Sequence, residues 1–141
     1  MKYVFADSLY WIAVVRPNDP WSDAAKRARQ ALGEAILTTT DEVLIEVLTA
    51  LSRHGPALRR TAVRMVRAIL NDPNIRVIQQ TRDGFLKGVA RYENREDKEY
   101  SLTDCISMNV VQSYGLTEVL TNDHHFEQEG FTVLIKKRDS L

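Results

Sequence analysis

The sequence predicts an α/β fold built on a central, mostly parallel sheet of about five strands. Two observations carry that expectation. Short apolar runs of strand length alternate with longer segments of helical periodicity along the whole chain. Strands separated by helices are joined by crossovers, which make neighbours parallel and cover the sheet on both faces. The length of 141 residues adds a single domain, 1–141. A chain of that size buries roughly 68% of the surface its unfolded form would expose.

Lys2 to Ala6 is a short apolar run suited to a buried strand. Leu9 to Val15 continues as an apolar helical turn or two, stopped by the turn from Pro17 to Pro20. Asp19 followed by Pro20 supplies an N-cap and a first helical residue for the next helix, which ends near Leu32 with Gly33 as its stop. Ala35 to Thr38 is the second strand. Thr39 and Glu42 have capping-box spacing and open a helix carrying Val43, Leu44, Val47, Leu48 and Leu51. Gly55-Pro56 breaks it, and Ala57 to Leu70 is a further helix, ended by Asn71-Asp72-Pro73.

Ile75 to Ile78 is the third strand, and Thr81 caps a helix through Phe85, Leu86, Val89 and Tyr92. Glu93 to Glu99 is charged and reads as an exposed loop or frayed helix end. Ser101 opens a helix through Ser113, closed by Gly115. Val119 to Thr121 and Thr132 to Ile135 are the last two strands.

Hydrophobic content of 44% and charged content of 27% are those of an ordinary globular protein. Formal net charge is zero, so any charged partner has to be argued from local charge. Cys105 is the only cysteine, which excludes an internal disulfide and a cysteine-built zinc cluster. With three histidines, two of them adjacent, zinc-ligand spacing is absent too. The apolar run from Leu9 to Val15 is too short to span a bilayer, and its flanks are not those of a signal peptide. The expectation is a soluble cytoplasmic protein.

In a parallel sheet, ligands bind beyond the carboxyl ends of the strands, at a topological switch point. Asp7 directly follows the first strand, and Asp123 follows the fourth. Glu46 lies about two turns into the helix after strand two, and Asp104 in the first turn of the helix before strand four. If those helices begin at the same sheet edge, the four carboxylates converge. Like charges that close raise one another's pKa, and a hard divalent cation removes the conflict. Such an ion lowers the pKa of bound water and stabilises charge building on a phosphate.

Each acid also has a plainer reading. Asp7 can be an N-cap, Asp123 a turn or cap residue before Phe126, Asp104 the partner of Ser101 in a capping box, and Glu46 a solvated helix residue.

Four segments together carry a family resemblance: Tyr3-Val4-Phe5-Ala6-Asp7-Ser8, Asp41 to Val47, Tyr100-Ser101-Leu102-Thr103-Asp104-Cys105, and Leu120-Thr121-Asn122-Asp123-His124-His125-Phe126. In order and spacing they resemble the PIN-domain nucleases, and among those the VapC-type toxins of toxin–antitoxin modules. The resemblance covers essentially the whole chain, with Gly130 to Val133 similar to the approach to the family's last strand. It implies a three-layer α/β/α fold and RNA cleavage dependent on Mg2+ or Mn2+. It further implies a homodimer and a cognate antitoxin. Asp7, Glu46, Asp104 and Asp123 fall on the family's four acidic positions, as catalytic and metal-binding residues. Ser8 and Thr121 fall where a small hydroxyl supports the site, and Asp97 on a frequently acidic loop position.

Between Glu46 and Asp72 there is no acid, while Arg53, Arg59, Arg60, Arg64 and Arg67 all fall there. Arg60, Arg64 and Arg67 share a helical face, suited to RNA phosphates or to an antitoxin. His124 and His125 read as exposed turn residues, because magnesium disfavours imidazole. Trp11, Trp21, Phe85 and Tyr92 read as core or dimer-interface residues and not as base-stacking platforms, and Cys105 as buried and inert.

Rival chemistries fit less well. A haloacid-dehalogenase phosphatase needs a second Asp two residues after Asp7, where Leu9 stands, and a receiver domain needs one after strand three, where Ile78-Gln79-Gln80 holds none. A PIN-type processing nuclease without an antitoxin, and a non-catalytic RNA-binding or interaction module whose acids are only caps, remain as alternatives.

Overall fold

The computed structural model describes residues 1–138. Strand β1 (Lys2–Ala6) is followed by helices α1 (Ser8–Val15) and α2 (Ser22–Leu32), then β2 (Ala35–Thr40), α3 (Asp41–Leu51) and α4 (Pro56–Asn71). Strand β3 (Ile75–Ile78) leads into α5 (Arg82–Asn94) and α6 (Leu102–Ser113), and the chain closes with β4 (Glu118–Leu120), α7 (His124–Gln128) and β5 (Thr132–Val133).

The strands form one sheet in the order β3-β2-β1-β4-β5, every pair parallel. The expected five-strand α/β architecture is what the chain adopts. Val4, Phe5 and Ala6 are all fully buried. Successive strand residues point to opposite faces, so β1 is covered on both. β3, at the edge, is only half-buried along its length.

From β1 the chain steps one way to β2 and β3, then crosses back to add β4 and β5 on the other side. The switch point therefore lies between β1 and β4, and both strands deliver a residue to their shared carboxyl edge: Asp7 and Thr121. The Asp7 amide donates to the Leu120 carbonyl at 3.2 Å, carrying the pairing past the end of β1.

Several boundaries differ from those expected. β2 runs to Thr40, and the α3 cap is Thr40, whose hydroxyl accepts from the Val43 amide at 3.0 Å. Thr39 stays in the strand because its buried hydroxyl has other partners. It donates to the Ala6 carbonyl at 3.0 Å and accepts from Trp11 Nε1 at 3.4 Å. The Asp19-Pro20 pair does not start α2. Asp19 accepts from the Trp21 amide at 2.8 Å, an Asx turn, and the helix begins at Ser22.

β4 keeps its expected length but lies one residue earlier, at Glu118–Leu120, β5 ends at Val133 and is shorter than expected, and α7 was not expected as a helix. Its five residues are too few to show periodicity.

α6 carries Asp104 and packs on α5 at Gly88, where an added Cβ would lie 2.5 Å from Ile106 Cγ1. Phe85, Leu86, Val89 and Tyr92 of α5 are not core residues, since all four lie exposed along that helix.

Candidate active site

Asp7 occupies the N-cap position of α1, yet its side chain caps nothing. Its Oδ2 instead accepts from the Thr121 hydroxyl at 3.0 Å, across the β1–β4 boundary. With 5% of the residue exposed, the carboxyl is pushed up from its ordinary value to about 7. Burial is the main cause, the charges of Glu46 and Asp104 add to it, and the Ser8 amide and Thr121 hydroxyl oppose it.

Glu46 sits on the second turn of α3, where Ser8 Oγ donates to its Oε1 at 2.5 Å. Burial raises its pKa, and so do Asp104 and Asp123, against the Ser8 hydrogen bond. Asp104 closes a capping box. Its amide donates to Ser101 Oγ at 3.0 Å, and its Oδ2 accepts from the Ser101 amide at 3.1 Å. Its pKa is also raised, by burial first and then by Asp123 among the charges.

Asp123 caps α7, its Oδ1 accepting from the His125 amide at 2.9 Å. The Asp123 amide donates to Thr121 Oγ1 at 3.1 Å, so one hydroxyl ties together the ends that present Asp7 and Asp123.

A cavity of about 550 Å³ is lined by all four acids with Ser8, Ser101, Thr121 and Asn122. Among the described residues no Lys or Arg pairs with any of the four, and only His124 and His125 approach them. Like charges gathered without a Lys or Arg call for another cation. An all-oxygen set with room for water suits magnesium or manganese. Asp123, His124 and His125 also bring one ligand atom each within 4.8 Å of the others, but imidazoles are poor partners for those ions.

Other sequence expectations fare differently. Asp97 stays outside the cavity, paired with Lys98 at 3.4 Å and largely exposed. Arg60, Arg64 and Arg67 lie exposed on α4 and do not line the cavity. His124 is exposed, but His125 is not: α7 turns it inward, its Nδ1 lying 3.2 Å from Asp123 Oδ1 and 3.5 Å from Asp104 Oδ2.

Behind His125, Tyr100 meets it edge-on at 5.2 Å and donates to Glu129 Oε2 at 2.9 Å. Glu129 also accepts from Arg91 at 2.7 Å and Arg95 at 3.1 Å. Burial works to raise the Glu129 pKa, but the Arg95 and Tyr100 hydrogen bonds outweigh it and hold it below the ordinary value. Asp19 and Trp21 line the same cavity, also unexpected from the sequence. Trp11 is a core residue, as is Cys105, whose thiol burial pushes up.

The PIN domain family matches residues 4–131. The 23S rRNA-specific endonuclease VapC20 of Mycobacterium tuberculosis is 27% identical over 131 residues, covering 91% of this chain and 95% of that protein. The crystal structure of VapC20 from the same organism, described as a sarcin–ricin loop cleaving toxin, superposes with a TM-score of 0.83. That match is 26% identical and covers 94% of this chain and 99% of the other. A chain of a toxin–antitoxin complex from Klebsiella pneumoniae shares the fold at a TM-score of 0.60 and 17% identity, over 86% of this chain and 87% of its own. By the extent of the family match and the four acids gathered at the switch point, this chain belongs to the PIN-domain family.

Proposed function

We propose that this chain is a magnesium- or manganese-dependent endoribonuclease, the toxin of a VapC-type toxin–antitoxin pair. One observation carries the chemistry: four carboxylates from four separate segments line one cavity, and among the described residues no Lys or Arg pairs with them. Asp7, Asp104, Asp123 and Glu46 are the residues to hold the ion. When bound, it would supply an acidified water and an electrostatic partner for charge growing on the phosphodiester.

The chain's own groups do the positioning. Thr121 fixes Asp7 and the Asp123 amide, Ser8 fixes Glu46, and Ser101 fixes Asp104, so the acids meet the ion already oriented. No protein nucleophile is needed.

The VapC20 likeness over nearly the full chain supports RNA as substrate, and 23S rRNA is the first to try. The purified protein should cut it in magnesium or manganese and not in EDTA. Intact RNA in both metals would overturn the reading. A ribosomal RNA substrate would be met in the cytoplasm, the location we propose; among the described residues no helix is long and apolar enough to cross a membrane.

A cognate antitoxin is supported by the fold shared with a chain of a toxin–antitoxin complex. For the homodimer, support comes from α5, where Phe85, Val89 and Tyr92 form an exposed stripe at helical spacing with Leu86 beside it. Sedimentation as a monomer at every concentration would remove it.

Arg60, Arg64 and Arg67, exposed and with no acidic partner among the described residues, form the proposed track for RNA phosphates. Replacing all three by Gln should weaken RNA binding while leaving magnesium binding intact. For single-stranded RNA the log–log salt slope should flatten by about 0.7 per lost contact. An unchanged slope would return α4 to a solvated face.

A further inference from the structure

The cavity that holds the four acids has a second wall, which the acid chemistry does not use. Leu9, Ile12 and Trp21 line it, and Asp19 stands among them. The Asp19 side chain is only 6% exposed. Its Oδ1 accepts from the Trp21 amide, and its Oδ2 forms a loose ion pair with Arg16 Nη1 at 3.8 Å, too long for a hydrogen bond. A carboxylate offers about four acceptor positions, so most of this one's capacity is unused. Lys137 adds a cation beside the wall, its Nζ 4.4 Å from the Trp21 ring centroid.

We propose that this wall is a nucleobase subsite for an unpaired guanine beside the scissile phosphate, with Asp19 as the specificity-determining residue. The proposal rests on the ribonuclease reading of the neighbouring acids. Unpaired RNA bases are recognised by packing on aromatic and apolar side chains and by hydrogen bonds along the Watson–Crick edge. Leu9, Ile12 and Trp21 supply the packing surface, and the volume of about 550 Å³ admits a base together with its phosphate.

The carboxylate then chooses the base. It can only accept, and guanine alone presents two adjacent donors, N1–H and the N2 amino group, with no acceptor between them. Adenine and cytosine set one amino group beside a ring-nitrogen acceptor. Uracil flanks its single N3–H with two carbonyl oxygens, which the carboxylate repels. Two charge-assisted hydrogen bonds in parallel are worth about tenfold in discrimination or more.

The test uses two readouts. Trp11 and Trp21 are the only tryptophans, and Trp11 is buried, so intrinsic fluorescence reports on the Trp21 wall. Titrated in EDTA, guanosine should change the emission at concentrations about tenfold below those at which uridine does. Asp19→Asn should erase that difference, because Asn keeps an oxygen for the Trp21 amide but replaces the other acceptor with a donor. In metal, wild-type cuts mapped on single-stranded RNA should fall next to guanines, and Asp19→Asn should lose that preference by a similar factor.

Equal responses to guanosine and uridine in the wild type, or an unchanged preference in Asp19→Asn, would overturn the subsite. RNA cut without base preference would sink the subsite and leave the nuclease standing. Guanosine discrimination without RNA cleavage would do the reverse.

Discussion

Asp104→Asn and Asp123→Asn should each lower RNA cleavage at saturating magnesium by roughly 100-fold or more, about 3 kcal/mol of transition-state stabilisation. Circular dichroism should be unchanged. Asparagine keeps the shape and an oxygen, but it contributes no charge to the ion. Glu46→Gln should lose less if that residue, held by Ser8, chiefly orients water.

Asp104 needs a control, because its carboxylate serves the capping box as well as the cavity. Ser101→Ala breaks the box and leaves the carboxylate in place. It should cost about 1 kcal/mol of stability and little activity. Full activity in Asp104→Asn would reduce that residue to a cap and sink the site assignment.

The two readings of Asp104 looked like rivals in the sequence, and the fold satisfies both. Capping fixes the carboxylate at the first turn of α6, and that first turn is what reaches the switch point. Asp7 resolves the other way: it stands at an N-cap position but gives its oxygen to Thr121. Acids that follow strands, or lie within two turns of a helix start, were legible because chain order alone brings them to the carboxyl edge.

Asp19, Trp21 and His125 were not legible, for tertiary reasons. Asp19-Pro20 matches a helix start locally, and only the turn onto Trp21 brings Asp19 and Trp21 to the cavity. His125 is turned inward by a helix of five residues, too short to leave a pattern. Thr39 and Thr40 show the same limit. One of two adjacent threonines caps α3, and the choice depends on Trp11 and Ala6 being there to occupy the other. The exposed α5 stripe has the periodicity of a core helix, and composition cannot tell a buried stripe from an exposed one.

Without metal, Asp7→Asn should melt higher than the wild type at neutral pH and above. The wild-type carboxyl is held up near 7 against an ordinary 3.8, so the folded state keeps a proton that the unfolded state has released. Stability attached to this group is complete below about pH 4, falls as pH rises to about 7, and is flat above it. Glu46 and Asp104, also raised, add in the same direction. In EDTA the wild type should lose on the order of 2–4 kcal/mol across that window through Asp7, and Asp7→Asn should lack most of this slope. Magnesium should then reverse the order. At pH 7.5 and 100 times the dissociation constant it stabilises the wild type by about 2.7 kcal/mol, but much less a variant missing one charged ligand. Thermal melts of both proteins, in EDTA and in magnesium at pH 5 and 7.5, make the comparison. Had Asp7 been a simple cap, Asn would replace it almost without cost at either pH, and magnesium would act on both proteins alike. Equal midpoints in EDTA with equal magnesium responses would therefore defeat the four-acid site, since a buried carboxylate facing other acids predicts that removing it strengthens the empty fold and weakens the loaded one.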